Sequence, residues 1–91
     1  MEASNVSNLI IRKIDLSPTF QPLTPARTIG SFTFIVPGTS SGNVRLLSDD
    51  NTTEVTLSRN DQFTLERVDL NRITAKGDLG DSIIVIGATA K

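Results

Sequence analysis

Cysteine and histidine are both absent from this sequence, and tyrosine and tryptophan are absent with them. The first two absences remove disulfides, thiolate metal sites and imidazole ligands together. They also strip nucleophilic catalysis of its usual base, leaving a serine or threonine to rely on lysine or a carboxylate. The chain has only Lys13, Lys76 and Lys91, none in a recognisable catalytic setting. Phe20, Phe32, Phe34 and Phe63 are the whole aromatic complement, too little to line a sugar site or to stack bases. A formal net charge of −1, with six Arg and three Lys scattered singly, gives no basic patch for nucleic acid. No apolar run approaches a membrane span, and the opening MEASNVSN carries an acid where a signal peptide carries bases. The expectation is a soluble non-enzymatic protein, with no catalytic residue, cofactor or metal.

What remains is β-sheet. Ninety-one residues make one small domain, which buries only roughly 60–65% of its unfolded surface. With disulfides and metals excluded, partner subunits are the remaining supplement to so small a core. No apolar 3.6-residue period survives past two turns, whereas strand patterns recur at short spacing. Strands are expected near Asn8–Leu16, Thr28–Val36, Asn43–Ser48, Thr53–Leu57, Gln62–Val68, Arg72–Lys76 and Ser82–Ala88. Phe32, Phe34 and Val36 share one face of the second, with Ser31 and Thr33 on the other until Ile35 breaks the alternation. Val44/Leu46, Val55/Leu57 and Phe63/Leu65 are the inward pairs of three more. The fold class is therefore all-β: a small β-sandwich or jelly-roll-like barrel of about seven short antiparallel strands.

The polar segments between strands read as turns. Gly38-Thr39-Ser40-Ser41-Gly42 has the look of a phosphate loop but lacks the following Lys and helix, so it reads as a hairpin turn. Asp49-Asp50-Asn51 with Glu54 offers oxygens to Ca²⁺ but has no EF-hand spacing or glycine, and reads as a solvated turn. Gly77-Asp78-Leu79-Gly80-Asp81 reads as a tight hairpin feeding the last strand. In SPTFQPLTPAR, Pro18, Pro22 and Pro25 recur every three or four residues, which predicts an extended connector without regular pairing. The chain thus divides into an N-terminal strand or arm with its connector (1–27) and a sandwich body (28–91).

The closing stretch FTLERVDLNRITAKGDLGDSIIVIGAT resembles the last third of small β-sandwich proteins of tailed-phage virions, where such a run forms the final hairpin. The resemblance implies a virion structural protein, foremost a capsid decoration (cement) protein that binds the capsid lattice and stabilises it. It would sit on the capsid surface after assembly in the host cytoplasm. A head–tail or tail subunit is the nearest alternative, and a small carbohydrate-binding module the alternative of a different class.

Within that stretch, Ile83-Ile84-Val85-Ile86 puts β-branched apolar residues on both faces of one strand. Its second face needs cover, either from the chain's own N-terminal strand or from a neighbouring subunit. Leu9, Ile11, Pro18, Phe20, Pro22, Pro25, Ile84 and Ile86 are accordingly the candidate interface residues. The expected partners are further copies of the chain, as a trimer, and the major capsid protein or another virion protein.

Overall fold

A computed structural model describes residues 7–90. Eight strands follow one another: β1 (Ser7–Asp15), β2 (Gln21–Pro22), β3 (Ile29–Ile35), β4 (Val44–Leu47), β5 (Glu54–Leu57), β6 (Gln62–Asp69), β7 (Thr74–Lys76) and β8 (Ser82–Ala90). They form two four-stranded antiparallel sheets, here sheet A with order β1-β8-β3-β6 and sheet B with order β2-β7-β4-β5. The molecule is a small β-sandwich. All seven expected strands form, with ends shifted by a residue or two.

Alternation places the core between the sheets. Phe32, Phe34, Val44, Ile83 and Val85 point inward and are fully buried, with Val36 and Leu70 closing the ends. Phe34 stacks on Phe63, directly opposite it in the β3–β6 ladder, with ring centroids 5.0 Å apart and planes 10° off parallel. Gly87 stands opposite Phe32 on the same inward face, and a Cβ there would lie 2.6 Å from the Phe32 ring. The glycine is the space that the ring occupies. The β3–β6 register slips between Gly30 and Phe32, where Arg67 takes a left-handed φ of 57°, as at a bulge.

The structure corrects three expectations. Gly77–Asp81 is not a hairpin, because β7 belongs to sheet B and β8 to sheet A. Pro37–Asn43 likewise crosses from β3 in sheet A to β4 in sheet B. Among the described strands only β4 and β5 are neighbours in both sequence and sheet. The third correction concerns the proline connector. Gln21–Pro22 pairs with β7, the Leu23 amide donates to the Ile73 carbonyl at 3.0 Å, and Leu16 and Leu23 are core residues. Pro22 has no amide to offer, but in an edge strand only one side needs bonding. The segment is docked along its own sheet.

The crossovers between sheets are tied together at one end of the sandwich. Arg59 Nε donates to the Ser40 carbonyl at 2.6 Å, and both oxygens of buried Asp81 accept bonds from Ser41. Nearer the other end, Asp69 Oδ1 accepts from the Thr28 amide at 2.9 Å and the Asn71 amide at 3.0 Å, capping the 3-10 turn Leu70–Arg72. The Thr28 amide, chiefly, holds this carboxyl below its ordinary pKa against the opposing effect of desolvation. The Asn71 amide and the charges of Arg27 and Arg72 add to the lowering.

Candidate functional site

The eight candidate interface residues separate into two clusters. Leu9, Ile11, Ile84 and Ile86 lie on the outward face of sheet A. Pro18, Phe20, Pro22 and Pro25 lie along the connector beside sheet B.

The first cluster follows from register. β1 runs antiparallel to β8 over nine paired residues, which places Ile11 directly opposite Ile86 and Leu9 opposite Ala88. β3 flanks β8 on its other side, setting Thr33 opposite Ile86 and Ile35 opposite Ile84. Directly opposed residues point to the same side of a sheet, so all of these face outward, away from Ile83 and Val85. β1 does not fold over the outward face; it pairs at the edge of β8 and widens that face with two more apolar residues. Leu9 is 72% exposed, Ile11 57% and Ile86 38%. These aliphatic side chains are neighbours on one sheet surface.

Sheet B turns a different face to solvent. Arg45 lies opposite Thr56 on one side and Lys76 on the other, and Arg45 pairs with Glu54 at 3.3 Å. The outward face of sheet A is apolar over β1, β8 and part of β3, and polar along β6, where Gln62, Thr64 and Glu66 are exposed.

The second cluster is built around Lys76. Its ammonium sits over the Phe20 ring, 4.7 Å from the centroid, a cation–π contact that holds the connector against β7. Pro18 lines a shallow cleft of about 310 Å³ with Asn43, Arg45, Lys76, Gly77 and Asp78. Across this cleft Asn43 Nδ2 donates to Asp78 Oδ2 at 2.8 Å. Pro22, opposite Thr74, and Pro25 are exposed further along the connector.

The acidic turn is occupied by its own bonds. Asp50 Oδ1 accepts from the Ser48 hydroxyl, the Thr52 hydroxyl and the Thr52 amide at 2.6, 2.7 and 3.1 Å. The Ser48 hydroxyl, first among these donors, holds the Asp50 carboxyl below its ordinary pKa. Glu54 is turned away to Arg45.

Sequence reasoning missed Lys13, Thr33, Ile35 and Ala88 on the sheet A face. Ile35 was the available signal: an apolar residue out of phase in an otherwise alternating strand belongs to a second apolar surface. It also missed how far the sandwich gapes beside β5. Val55 points inward as expected yet is 53% exposed, and with Leu46, Leu57 and Phe63 it lines an open apolar groove of about 350 Å³.

The chain matches no protein-family model, and neither the curated proteins nor the solved structures contain a match to it.

Proposed function

We propose that this chain is a non-enzymatic structural subunit that works by lying between other protein surfaces. The resemblance of its closing segment makes the specific form of that reading a capsid decoration protein of a tailed-phage virion. The supporting observation is the apolar patch of Leu9, Ile11, Ile84, Ile86 and Ile35 on the outward face of sheet A, set opposite a polar face that carries the connector ridge. A plate with two unlike sides joins two unlike things: a copy of itself or a neighbour on the apolar side, and a polar protein lattice on the other. Sheet-face burial supplies affinity, and the rim of Pro18, Lys76 and Asp78 supplies register.

The carbohydrate-binding alternative draws on the cleft between Pro18 and Asp78. Its weakness is physical. Sugar binding wants an open aromatic face, and the Phe20 ring already has the Lys76 ammonium over it. Co-sedimentation of the purified protein with assembled tailed-phage shells tests the leading reading. Saturable binding at micromolar concentration is expected. Absence of binding to shells, with retention on a polysaccharide array, would replace it with the alternative.

A further inference from the structure

We propose that the outward face of sheet A is covered by the same face of a second copy of this chain. The two copies are related by a two-fold axis lying between them along the row Ile11–Ile86–Thr33. This rests on the reading of the chain as an associating structural subunit, and deepens it by naming the partner for one surface and the symmetry.

A two-fold interface must be complementary to itself, since every residue meets the patch that its own symmetry mate supplies. The ladder shows such a match. On one side of the central row, Ile84 and Ile35 stand opposite each other; on the other side, Ala88 and Ser31 do. An axis along the central row lays each flank over the other, so the two isoleucines of one copy meet the alanine and serine of the second. Large against small is how packed layers interdigitate without voids. The same operation sets Lys13, beside Ile84, over Leu9 of the second copy, beside Ala88. There its aliphatic stem covers apolar surface while the ammonium reaches water at the rim. No two like charges are brought together in these rows.

The area also suffices. Four strands of seven to nine residues at the usual spacing make a face of roughly 27 by 19 Å, with the polar Gln62, Thr64 and Glu66 of β6 forming its rim. Two such faces remove about 1,000 Å² before side-chain relief is counted, the level that a specific interface has to clear. A three-fold ring joins unlike patches and draws no advantage from this self-match, so the symmetry is a dimer rather than the trimer expected from the sequence.

Sedimentation of the purified wild-type chain across the micromolar range is the test, and a dimer mass is expected. Ile86→Lys, at the centre of the face, should raise the dissociation constant about a hundredfold or more. Ile11→Lys, on the edge strand, reads the same contact where the central variant fails to fold. A third arm needs no buried charge. Because the chain has no native cysteine, Ile86→Cys presents a unique thiol on the axis. Packed sheets lie about 10 Å apart, so a bismaleimide of that length should link it into dimers. Thr56→Cys, on the outward face of sheet B, should stay unlinked. A wild-type monomer or trimer, or preferential linkage through Thr56→Cys, overturns the proposal. A monomer that still binds capsid shells sinks the two-fold and leaves the structural-subunit reading standing. A dimer that ignores shells does the reverse.

Discussion

Ser41 grips Asp81 at both carboxylate oxygens: its hydroxyl donates to Oδ2 at 2.6 Å and its amide to Oδ1 at 2.9 Å. The two residues belong to different crossovers, one leaving sheet A for sheet B and the other returning. The Asp78 amide adds a third bond, to Oδ2 at 2.9 Å. Asp81 is only 4% exposed, so its carboxylate holds these bonds with little competition from water. This one carboxylate fixes where the chain changes sheets.

Removing it should therefore cost more than a surface acid does. Asp81→Ala leaves the donors unmet and should destabilise the fold by roughly 1–3 kcal/mol. In a domain of this size that corresponds to a fall in Tm of about 10 °C. Asp81→Asn keeps the shape but turns an amide donor toward one of the existing donors, so it should also destabilise, though less. Thermal melts followed by circular dichroism decide it; an unchanged Tm for the alanine variant would show that the crossovers are held by packing alone.

The same residue sets an acid limit. Burial pushes the Asp81 carboxyl up, but the Ser41 hydroxyl, the Ser41 and Asp78 amides and the nearby charge of Arg59 outweigh it. The net shift is below the ordinary value of 3.8. Asp50 and Asp69 are lowered as well. A depressed pKa in the folded state contributes stability that is complete above the unfolded value and is lost as pH falls through the folded one. Tm should thus be flat with respect to these groups above about pH 5 and fall on acidification below about pH 4. Asp81→Asn should reduce the steepness of that acid limb. A wild-type Tm that rises on acidification below pH 4 would contradict the assignment.

A third expectation concerns Gly87. A Cβ there would lie 2.1 Å from the Ser31 carbonyl oxygen, 2.6 Å from Phe32 Cδ1 and 2.8 Å from the Phe32 Cα. Backbone of the neighbouring strand cannot step aside as a side-chain tip can. Gly87→Ala should cost at least about 1–3 kcal/mol through overpacking and should loosen the β3–β8 ladder, despite the usual entropic benefit of alanine. Amide exchange at Thr33 and Ile86, which stand opposite each other with their amides in that ladder, would report it. Gly80→Ala, in open space but with a φ of 94°, separates the two causes: its cost comes from backbone strain and should leave that ladder protected.

The strands were legible in the sequence because alternation is local, and each face of a strand is written in every second residue. Sheet membership was not legible. A polar, glycine-containing segment such as Gly77–Asp81 looks the same whether it closes a hairpin or crosses a sandwich, and what decides is Asp81 reaching 40 residues back to Ser41. The connector misled for a related reason. Its three prolines argued against pairing, while Leu23, the residue that docks it, is one apolar side chain without a pattern around it. At the candidate surface, Ile84 and Ile86 could be named from their run. The match of Ile84 and Ile35 with Ala88 and Ser31 depends on cross-strand register, which no single strand carries.

The N-terminal strand gives the last prediction. Read from sequence, Asn8–Leu16 is either an arm that reaches a partner or a strand of its own subunit. The structure assigns Ser7–Asp15 to the edge of β8, paired without a break. Leu16 is buried, and Ile10 and Ile14 pack against the core. Deletion would bare one whole side of β8, a nine-residue strand rich in isoleucine and valine, and so create a long apolar edge of the kind that pairs between molecules. The truncated chain should therefore fail to fold cooperatively and should aggregate. In the intact protein, hydrogen exchange at Ile10, Arg12 and Ile14 should be slowest where an amide faces β8, with alternate amides facing the free edge exchanging faster. Uniformly fast exchange from Leu9 to Ile14 would mean that the strand leaves its sheet in solution. Alternating protection would fix it as the fourth strand of sheet A, with Leu9 and Ile11 held on the outward face where a second copy would meet them.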